Sequence, residues 1–192
     1  MKKNWFNRSN IINGIFLLFL ILMLVSPSAK SYVMRGLMAV GLFQPSVHDE
    51  GAGNEIPPDT RFQDESGNMV SIASLKGKVV FLNFWATWCP PCRAEMPALN
   101  QLYQELKNDP DIVFLIVDAD SNLAKASKFQ QENGYTLPLY AAASAIAPKV
   151  YSGTLPTTVI IDKKGNIRER YTGAKDYSNK GFKEFLHKLA AE

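Results

Sequence analysis

The longest apolar stretch of the chain lies near its start, where residues 9–29 carry no charge. A helix rises about 1.5 Å per residue, so a helix of this length matches the ~30 Å hydrocarbon core of a membrane. Three basic residues, the last of them Arg8, precede the stretch, which predicts a cytoplasmic N-terminus and a membrane anchor over residues 1–31. Small residues at 26–29 also fit a cleaved signal peptide, so both interpretations stay open.

The next segment, residues 32–55, has two parts. Residues 32–43 are apolar apart from Arg35 and glycines, and they are too short for a second membrane span. They fit either a helix that lies in the membrane interface or a hydrophobic stalk that packs on the following domain. Residues 44–58 are polar and rich in Gly and Pro, which predicts a linker leading into a domain over residues 56–192.

In this domain, apolar patterns of strands alternate with those of helices. Residues 78–84 and 112–117 are β-rich apolar runs that predict central strands, and apolar residues spaced three and four apart over 91–107 predict a helix, kinked at Pro97. Further predictions are a strand at 69–71, a helix at 122–133 ended by Gly134, a strand at 138–140, a helical turn or two at 145–151, a hairpin of strands 157–162 and 167–171, and a helix at 178–191. This order predicts an α/β fold with a mixed central sheet flanked by helices.

Composition and charge narrow the class of protein. A hydrophobic content of 46% in 192 residues is enough for a real core. The formal charge of +3 misleads, because five of the 21 basic residues precede the first acidic residue, Asp49, and the other 16 face 18 acidic residues, a balance of −2. The predicted domain is therefore near neutral, and nothing in it indicates a nucleic-acid surface.

The chain has two cysteines, Cys89 and Cys92, at the junction of a predicted strand and helix. A Cys-x-x-Cys pair in this position is typical of proteins that exchange disulfides with other thiols. A zinc site is one alternative, but zinc needs about four ligands, and the two histidines, His48 and His187, lie far from the motif in sequence. A structural disulfide is the other, although such a crosslink normally closes a longer loop.

Residues 84–92 (FWATWCPPC), followed by residues 155–158 (LPTT), resemble the thioredoxin superfamily. Within it, the chain is most similar to the membrane-anchored TlpA/ResA-type thiol-disulfide oxidoreductases, over roughly residues 56–190. The resemblance implies a thioredoxin-like fold in which residues 118–145 supply an extra strand and helix. It also implies a redox-active disulfide that works without a separate cofactor or metal.

The two cysteines are expected to have different roles. Cys89 just precedes the predicted helix, where unpaired amides and the helix dipole favour a thiolate, so we expect it to be the more exposed, attacking sulfur. Cys92 would then resolve the mixed disulfide. Pro90 and Pro91 have no N–H to offer the thiolate, which predicts a more reducing couple; stiffening of the turn is the alternative explanation for them.

Glu95 follows Cys92 by three residues and so lies on the same face of the predicted helix. Held near apolar groups, its carboxyl would have a raised pKa and would accept the Cys92 proton. The alternative is an exposed acid that favours the helix N-terminus. Ordinary thioredoxins have a buried acid where this chain has Asn83, and the resemblance to ResA-type proteins implies that Glu95 takes a comparable part.

Pro156 matches the cis-proline that faces the cysteines in the superfamily, although an ordinary trans proline at the start of a strand is the alternative. Leu155 would offer backbone groups to an extended client peptide. With Trp88, Pro90 and Pro91, these residues form the predicted substrate-binding rim.

Together these features predict a disulfide reductase that is tethered to the cytoplasmic membrane with its catalytic domain outside, in the periplasm or another extracytoplasmic space. Its predicted partners are client proteins and a membrane or extracytoplasmic electron donor. The resemblance adds apocytochrome c or its maturation partners as clients. A net oxidant and a redox-inactive peptide-binding module are the alternatives. A peroxidase is excluded, because Leu82 and Ala86 occupy the positions where the Pro-x-x-x-Thr/Ser-x-x-Cys motif needs Pro and Thr or Ser.

Overall fold

The computed structural model describes residues 8–45 and 55–192. Lys2 and Lys3 of the predicted basic flank, His48, and residues 46–54 of the predicted linker lie outside these ranges.

The N-terminal stretch forms two helices, α1 (Arg8–Val25) and α2 (Pro27–Ala39), so the prediction of one continuous helix over residues 9–29 is wrong. Pro27 has no N–H with which to continue the hydrogen bonds of α1, but it suits the first position of a new helix. The Ser26 side chain caps that helix by accepting a bond from the Ala29 amide at 3.3 Å.

Neither helix by itself combines the length and the apolar character of a membrane span, and the same holds for every other helix in the described ranges. Asn10–Leu22 and Pro27–Ala39 reach that length and character only as a pair, which is bent by 101°. Residues 32–43 were expected to form an interfacial helix or a packed stalk. In the structure α2 packs on the domain, where Ser31 and Met38 are buried.

Within the described residues, the domain contains seven strands and three α-helices. The strands are β1 (Arg61–Asp64), β2 (Met69–Ser71), β3 (Val79–Trp85), β4 (Ile112–Asp118), β5 (Leu139–Ala142), β6 (Thr157–Ile161) and β7 (Ile167–Thr172), and the helices are α3 (Pro90–Leu106), α4 (Leu123–Asn133) and α5 (Lys180–Ala191). The strands form one sheet in the order β2-β1-β5-β4-β3-β6-β7. β3, β4 and β5 are parallel and the other pairs antiparallel, which confirms a mixed sheet.

The central strand β3 is buried on both faces, as its apolar run predicts. Its alternate residues Val79, Phe81 and Trp85 join a core cluster with buried residues of α3, α4 and α5. Val80, Leu82 and Phe84 join a second cluster on the opposite face. Since side chains alternate along a strand, the polar residue at position 83 shares the face of the helices, where α3 lies.

Two predictions differ from the structure in detail. β1 is absent from the sequence prediction, because Phe62 is its one fully buried side chain and the strand is only four residues long. Residues 145–151 were expected to form a helical turn or two, and they form a single turn in which the Val150 and Tyr151 amides both donate to the Ala147 carbonyl.

Candidate active site

Cys89 and Cys92 form a disulfide at the start of α3. Cys89 is the N-cap residue, with extended backbone (φ −80°, ψ 109°), and Cys92 lies within the first turn. Cys89 is the more exposed of the two cysteines, as expected, but only by a small margin: Cys89 is 3% exposed and Cys92 0%. Both sulfurs belong to the core cluster that α3 shares with β3.

The helix offers Cys89 one backbone donor. At a helix start, the side chain of the N-cap residue accepts hydrogen bonds from the amides of the second and third helical residues. The third is Cys92, whose N–H donates to Cys89 Sγ at 3.3 Å. The second is Pro91, which has no N–H, and Pro90 before it has none either.

Glu95 lies on α3 one turn beyond Cys92 and is 0% exposed, so it is not an exposed acid at a helix start. Its Oε1 accepts a hydrogen bond from Asn83 Nδ2 at 2.9 Å, and its Oε2 accepts one from the Lys175 amide at 3.2 Å. Burial disfavours the carboxylate more strongly than these two bonds favour it, and raises the pKa of Glu95 to about 8. The side chain is therefore mostly protonated at neutral pH.

A chain of buried polar groups extends from Glu95 into the sheet. Asn83 Nδ2 also donates to Thr158 Oγ1 at 2.9 Å, and the Tyr177 hydroxyl donates to the same oxygen at 2.7 Å. Burial, and secondarily the charge of Glu95, raise the pKa of Tyr177 well above its usual value, so its hydroxyl remains a donor. These bonds fix the side chain of Asn83, and Asn83 in turn orients the carboxyl of Glu95.

The Leu155–Pro156 peptide bond is cis. Thr157, the first residue of β6, pairs with Phe84 near the carboxyl end of β3, so Pro156 lies at the same end of the sheet as Cys89. Pro156 is buried and Leu155 partly so. Within the described residues, the backbone of Leu155 makes no hydrogen bond to another backbone group. The structure thus brings the predicted backbone donor and acceptor to the edge that carries the disulfide.

Trp88 forms an exposed side of the site. Its side chain is 55% exposed, and its indole Nε1 donates to Asp120 Oδ2 at 2.7 Å, which fixes the orientation of the ring. Trp85, by contrast, is buried in the core. In the described ranges, no three His, Cys, Asp or Glu side chains converge in a way that could hold a metal ion.

The Redoxin family matches residues 51–185 of this chain. ResA, a thiol-disulfide oxidoreductase of Geobacillus kaustophilus, is 37% identical over 117 residues, which cover 60% of this chain and 67% of the relative. ResA of Bacillus thuringiensis strain Al Hakam is 33% identical over 145 residues, 73% of this chain and 83% of the relative. The chain belongs to the Redoxin family, as a ResA-type member.

As a ResA-type Redoxin protein, the chain is a thiol-disulfide oxidoreductase with a thioredoxin-like α/β fold. The crystal structure of StoA from Bacillus subtilis is similar, with a TM-score of 0.54 and 25% identity, over 69% of this chain and 97% of StoA. The resemblance to the thioredoxin superfamily and its ResA-type branch is confirmed. α1 and α2 precede the residues that match the Redoxin family.

Sequence reasoning about this Redoxin domain missed the partners of Glu95. Asn83 was noted only as a missing acid, although its place on the same face of β3 as Phe81 and Trp85 points it at α3. Thr158 and Tyr177 carried no signal, because a single Thr or Tyr in a core pattern is common. The Lys175 amide is 80 residues from Glu95 in sequence and had none either.

Proposed function

We propose that this protein is an extracytoplasmic thiol-disulfide oxidoreductase that reduces disulfides in client proteins through Cys89 and Cys92. The observation that carries the direction is the single amide donor to Cys89 Sγ, from Cys92 at 3.3 Å. A strongly oxidising couple needs a well-stabilised thiolate in its reduced form. The two prolines leave Cys89 with fewer donors than such a couple requires.

In the proposed reaction, the Cys89 thiolate attacks one sulfur of the client disulfide and releases the other client sulfur as a thiolate, leaving a mixed disulfide on Cys89. Cys92 then loses its proton and attacks Cys89 Sγ. This step forms the Cys89–Cys92 disulfide and releases the second client thiolate. The two electrons gained by the client come from the two protein thiols, so no separate cofactor takes part.

Glu95 is the proposed carrier of the Cys92 proton. Its pKa of about 8 lies close to the usual pKa of a thiol, about 8.5, so the proton passes between them at little free-energy cost. In the disulfide form the neutral carboxyl is ready to protonate Cys92 when an electron donor opens the bond. In the dithiol form the carboxylate takes that proton back during resolution.

An extended client segment is proposed to lie along the edge formed by Leu155 and Pro156, with the backbone of Leu155 pairing to it as a strand does. This placement is supported by the backbone of Leu155, which pairs with no other backbone group in the described part of the chain. Trp88, held by Asp120, and the Pro90–Pro91 ridge would border the client on the other side of Cys89.

We further propose that the N-terminal helices hold the domain on the outer side of the cytoplasmic membrane, where disulfides persist. The exposed apolar side chains of α1 support this, because a surface of this kind is rare on a protein that is free in water. Full-length protein should then remain with membranes after a carbonate wash. A mature N-terminus near Lys30 would instead establish cleavage and release.

Apocytochrome c, or a protein of its maturation, is the proposed client, on the basis of the resemblance to TlpA/ResA-type proteins. A membrane or extracytoplasmic dithiol protein would return the disulfide to its reduced form. Purified apocytochrome c with an oxidised Cys-x-x-Cys-His disulfide should be reduced by the dithiol form of this protein. An unrelated disulfide of equal exposure should be reduced more slowly.

The reduction potential of the cysteine pair tests the proposed direction. Equilibration against defined glutathione or dithiothreitol buffers should give a value nearer about −270 mV than −120 mV. A value above about −180 mV would overturn the reductase and favour a net oxidant. A pair that exchanges with neither buffer would favour a redox-inactive peptide-binding module.

A further inference from the structure

The inner face of α2 is bonded to the start of the active-site helix. The Ser31 hydroxyl lies 2.8 Å from the Pro90 carbonyl oxygen and 2.9 Å from that of Pro27, between which its single proton is shared. One turn further along α2, Arg35 Nη2 donates to the Arg93 carbonyl at 2.7 Å. The two acceptors on α3 lie on either side of Cys92 in sequence.

The Arg93 carbonyl is available because of Pro97. In a helix, the carbonyl of each residue accepts from the amide four residues later, and the residue four beyond Arg93 is Pro97, which has no N–H. Pro97 therefore leaves the Arg93 carbonyl without its intrahelical donor. The guanidinium of Arg35 fills this position with a charge-assisted hydrogen bond.

Among the residues that the structure describes, no acid forms an ion pair with Arg35. Its Nη2 also lies 3.3 Å from the Tyr135 hydroxyl, and its buried Nε has no hydrogen-bond partner among residues 8–45 and 55–192. Within the described residues, neither Arg35 nor Arg93 forms an ion pair. Arg93 instead donates to Ser28 Oγ at 3.0 Å and lies over the Phe129 ring.

This charge lies near the cysteine pair. Arg35 Nη2 lies 2.7 Å from the carbonyl oxygen of Arg93, the residue directly after Cys92. Consecutive residues rise about 1.5 Å along a helix, so the guanidinium lies within about one screening length, ~8 Å at physiological salt, of the Cys92 backbone. A positive charge at this range favours a thiolate, and hence the reduced form of the pair.

We propose that Arg35 is a positioning residue for disulfide exchange. By capping the Arg93 carbonyl that Pro97 leaves unpaired, it fixes the segment of α3 that carries Cys92 and Glu95, and its charge stabilises the reduced cysteine pair. The N-terminal segment is thereby a working part of the active site as well as a connection to it, although it lies outside the residues that match the Redoxin family.

The test is the thiol–disulfide equilibrium of the full-length chain in glutathione buffers, with the two forms separated by thiol alkylation. Arg35→Gln should shift the equilibrium toward the disulfide by about three- to tenfold, which corresponds to roughly 15 to 30 mV. Lys30→Gln is the matched control, because it removes the same charge from an exposed position on α2. It should leave the equilibrium unchanged.

Pro97→Ala separates the effect of capping from that of charge, because the N–H of alanine can donate to the Arg93 carbonyl in place of Arg35. In this background Arg35→Gln should shift the equilibrium less on a logarithmic scale, because only the contribution of the charge remains. Should Arg35→Gln fail to fold, as judged by circular dichroism, Arg35→Lys replaces it in both backgrounds. Because lysine keeps the charge, Arg35→Lys should shift the equilibrium less than expected for Arg35→Gln where Pro97 is present, and should leave it unchanged in the Pro97→Ala background. An Arg35→Gln equilibrium equal to wild type or to Lys30→Gln, or an equal shift in both backgrounds, would overturn the proposal.

Discussion

The surroundings of the two cysteines differ in what they supply. Around Cys89, two prolines supply no amide donors, and the Cys92 N–H is the backbone donor that remains to the sulfur. The residue before Cys89 is Trp88, whose ring is exposed. Beyond Cys92 on the same helix, a fully buried carboxyl is bonded to Asn83 and the Lys175 amide. The surroundings of Cys89 control the stability of its thiolate, and the carboxyl of Glu95 beyond Cys92 holds a proton.

A single turn of helix therefore separates two tasks, setting the redox equilibrium and moving a proton. The free energy of the couple depends on stabilisation of the Cys89 thiolate, which few donors keep low. The rate of resolution depends on removal of the Cys92 proton in a place from which water is excluded. Changes to the amide donors around Cys89 should therefore alter equilibria, and changes to Glu95 and its hydrogen-bond partners should alter rates and their pH dependence.

The largest expected effects come from removing either sulfur. Cys89→Ser should abolish reaction with a disulfide substrate, because the attacking thiolate is gone. Cys92→Ser should keep the first attack and trap a mixed disulfide on Cys89, visible by mass spectrometry of the intact protein. The two variants serve as each other's control, and trapping on Cys92 in the Cys89→Ser protein at a similar rate would contradict the assigned order.

Burial of Glu95 predicts an unusual pH dependence of stability. Between its unfolded pKa of 4.5 and its folded pKa of about 8, the folded state holds a proton that the unfolded state has released. The free energy of unfolding should therefore fall with rising pH across this window, by about 1.4 kcal/mol per pH unit. Urea unfolding of the disulfide form at several pH values measures the slope.

Glu95→Gln should remove this slope, because it removes the titrating group. Glu105→Gln is the matched control on the same helix, since Glu105 is exposed and hydrogen bonds hold its pKa below the usual value. It should keep the slope. Equal slopes in wild type and Glu95→Gln would show that Glu95 is ionised in the folded protein at neutral pH.

Restoring an amide donor to Cys89 should have a smaller effect. Pro91→Ala adds an N–H at the second helical position, from which a donor reaches the N-cap side chain. The reduced form should gain stability, so the equilibrium with glutathione should become more oxidising by about tenfold, or ~30 mV. Pro90→Ala adds an N–H at the first position, which does not point at the cap, and should change the potential less. Equal shifts in both variants would support stiffening of the turn instead.

Much of the domain could be predicted because its signals are local. β3 is an apolar run interrupted only by Asn83, α3 has a clear helical period, and Gly134 ends α4 in the left-handed conformation (φ +69°). The hydropathy pattern, however, carries no information about backbone hydrogen bonds. It extended the first helix to residue 29, beyond the end of α1 at Val25, because Ser26 and Pro27 lie within an uncharged stretch.

The site was predictable where its residues are close in sequence. Cys89, Cys92 and Glu95 lie on one turn of α3 and its continuation, so spacing alone placed them together. The contacts that orient Glu95 and α3 join segments from 12 to 80 residues apart, and no pattern in the chain encodes them. Arg35 was the one lone charge in an apolar segment, a signal that a buried partner exists but not which one.

The most direct test of the central claim, that Glu95 moves the Cys92 proton, is the rate at which the mixed disulfide on Cys89 resolves between about pH 6 and 9. Acid quenching followed by mass spectrometry gives this rate. Wild type should show an inflection near the Glu95 pKa of about 8. Glu95→Gln should lose this inflection and keep only the rise that ionisation of Cys92 itself produces, and it should resolve more slowly and accumulate the mixed disulfide. Wild-type rates for Glu95→Gln across this range would contradict the claim.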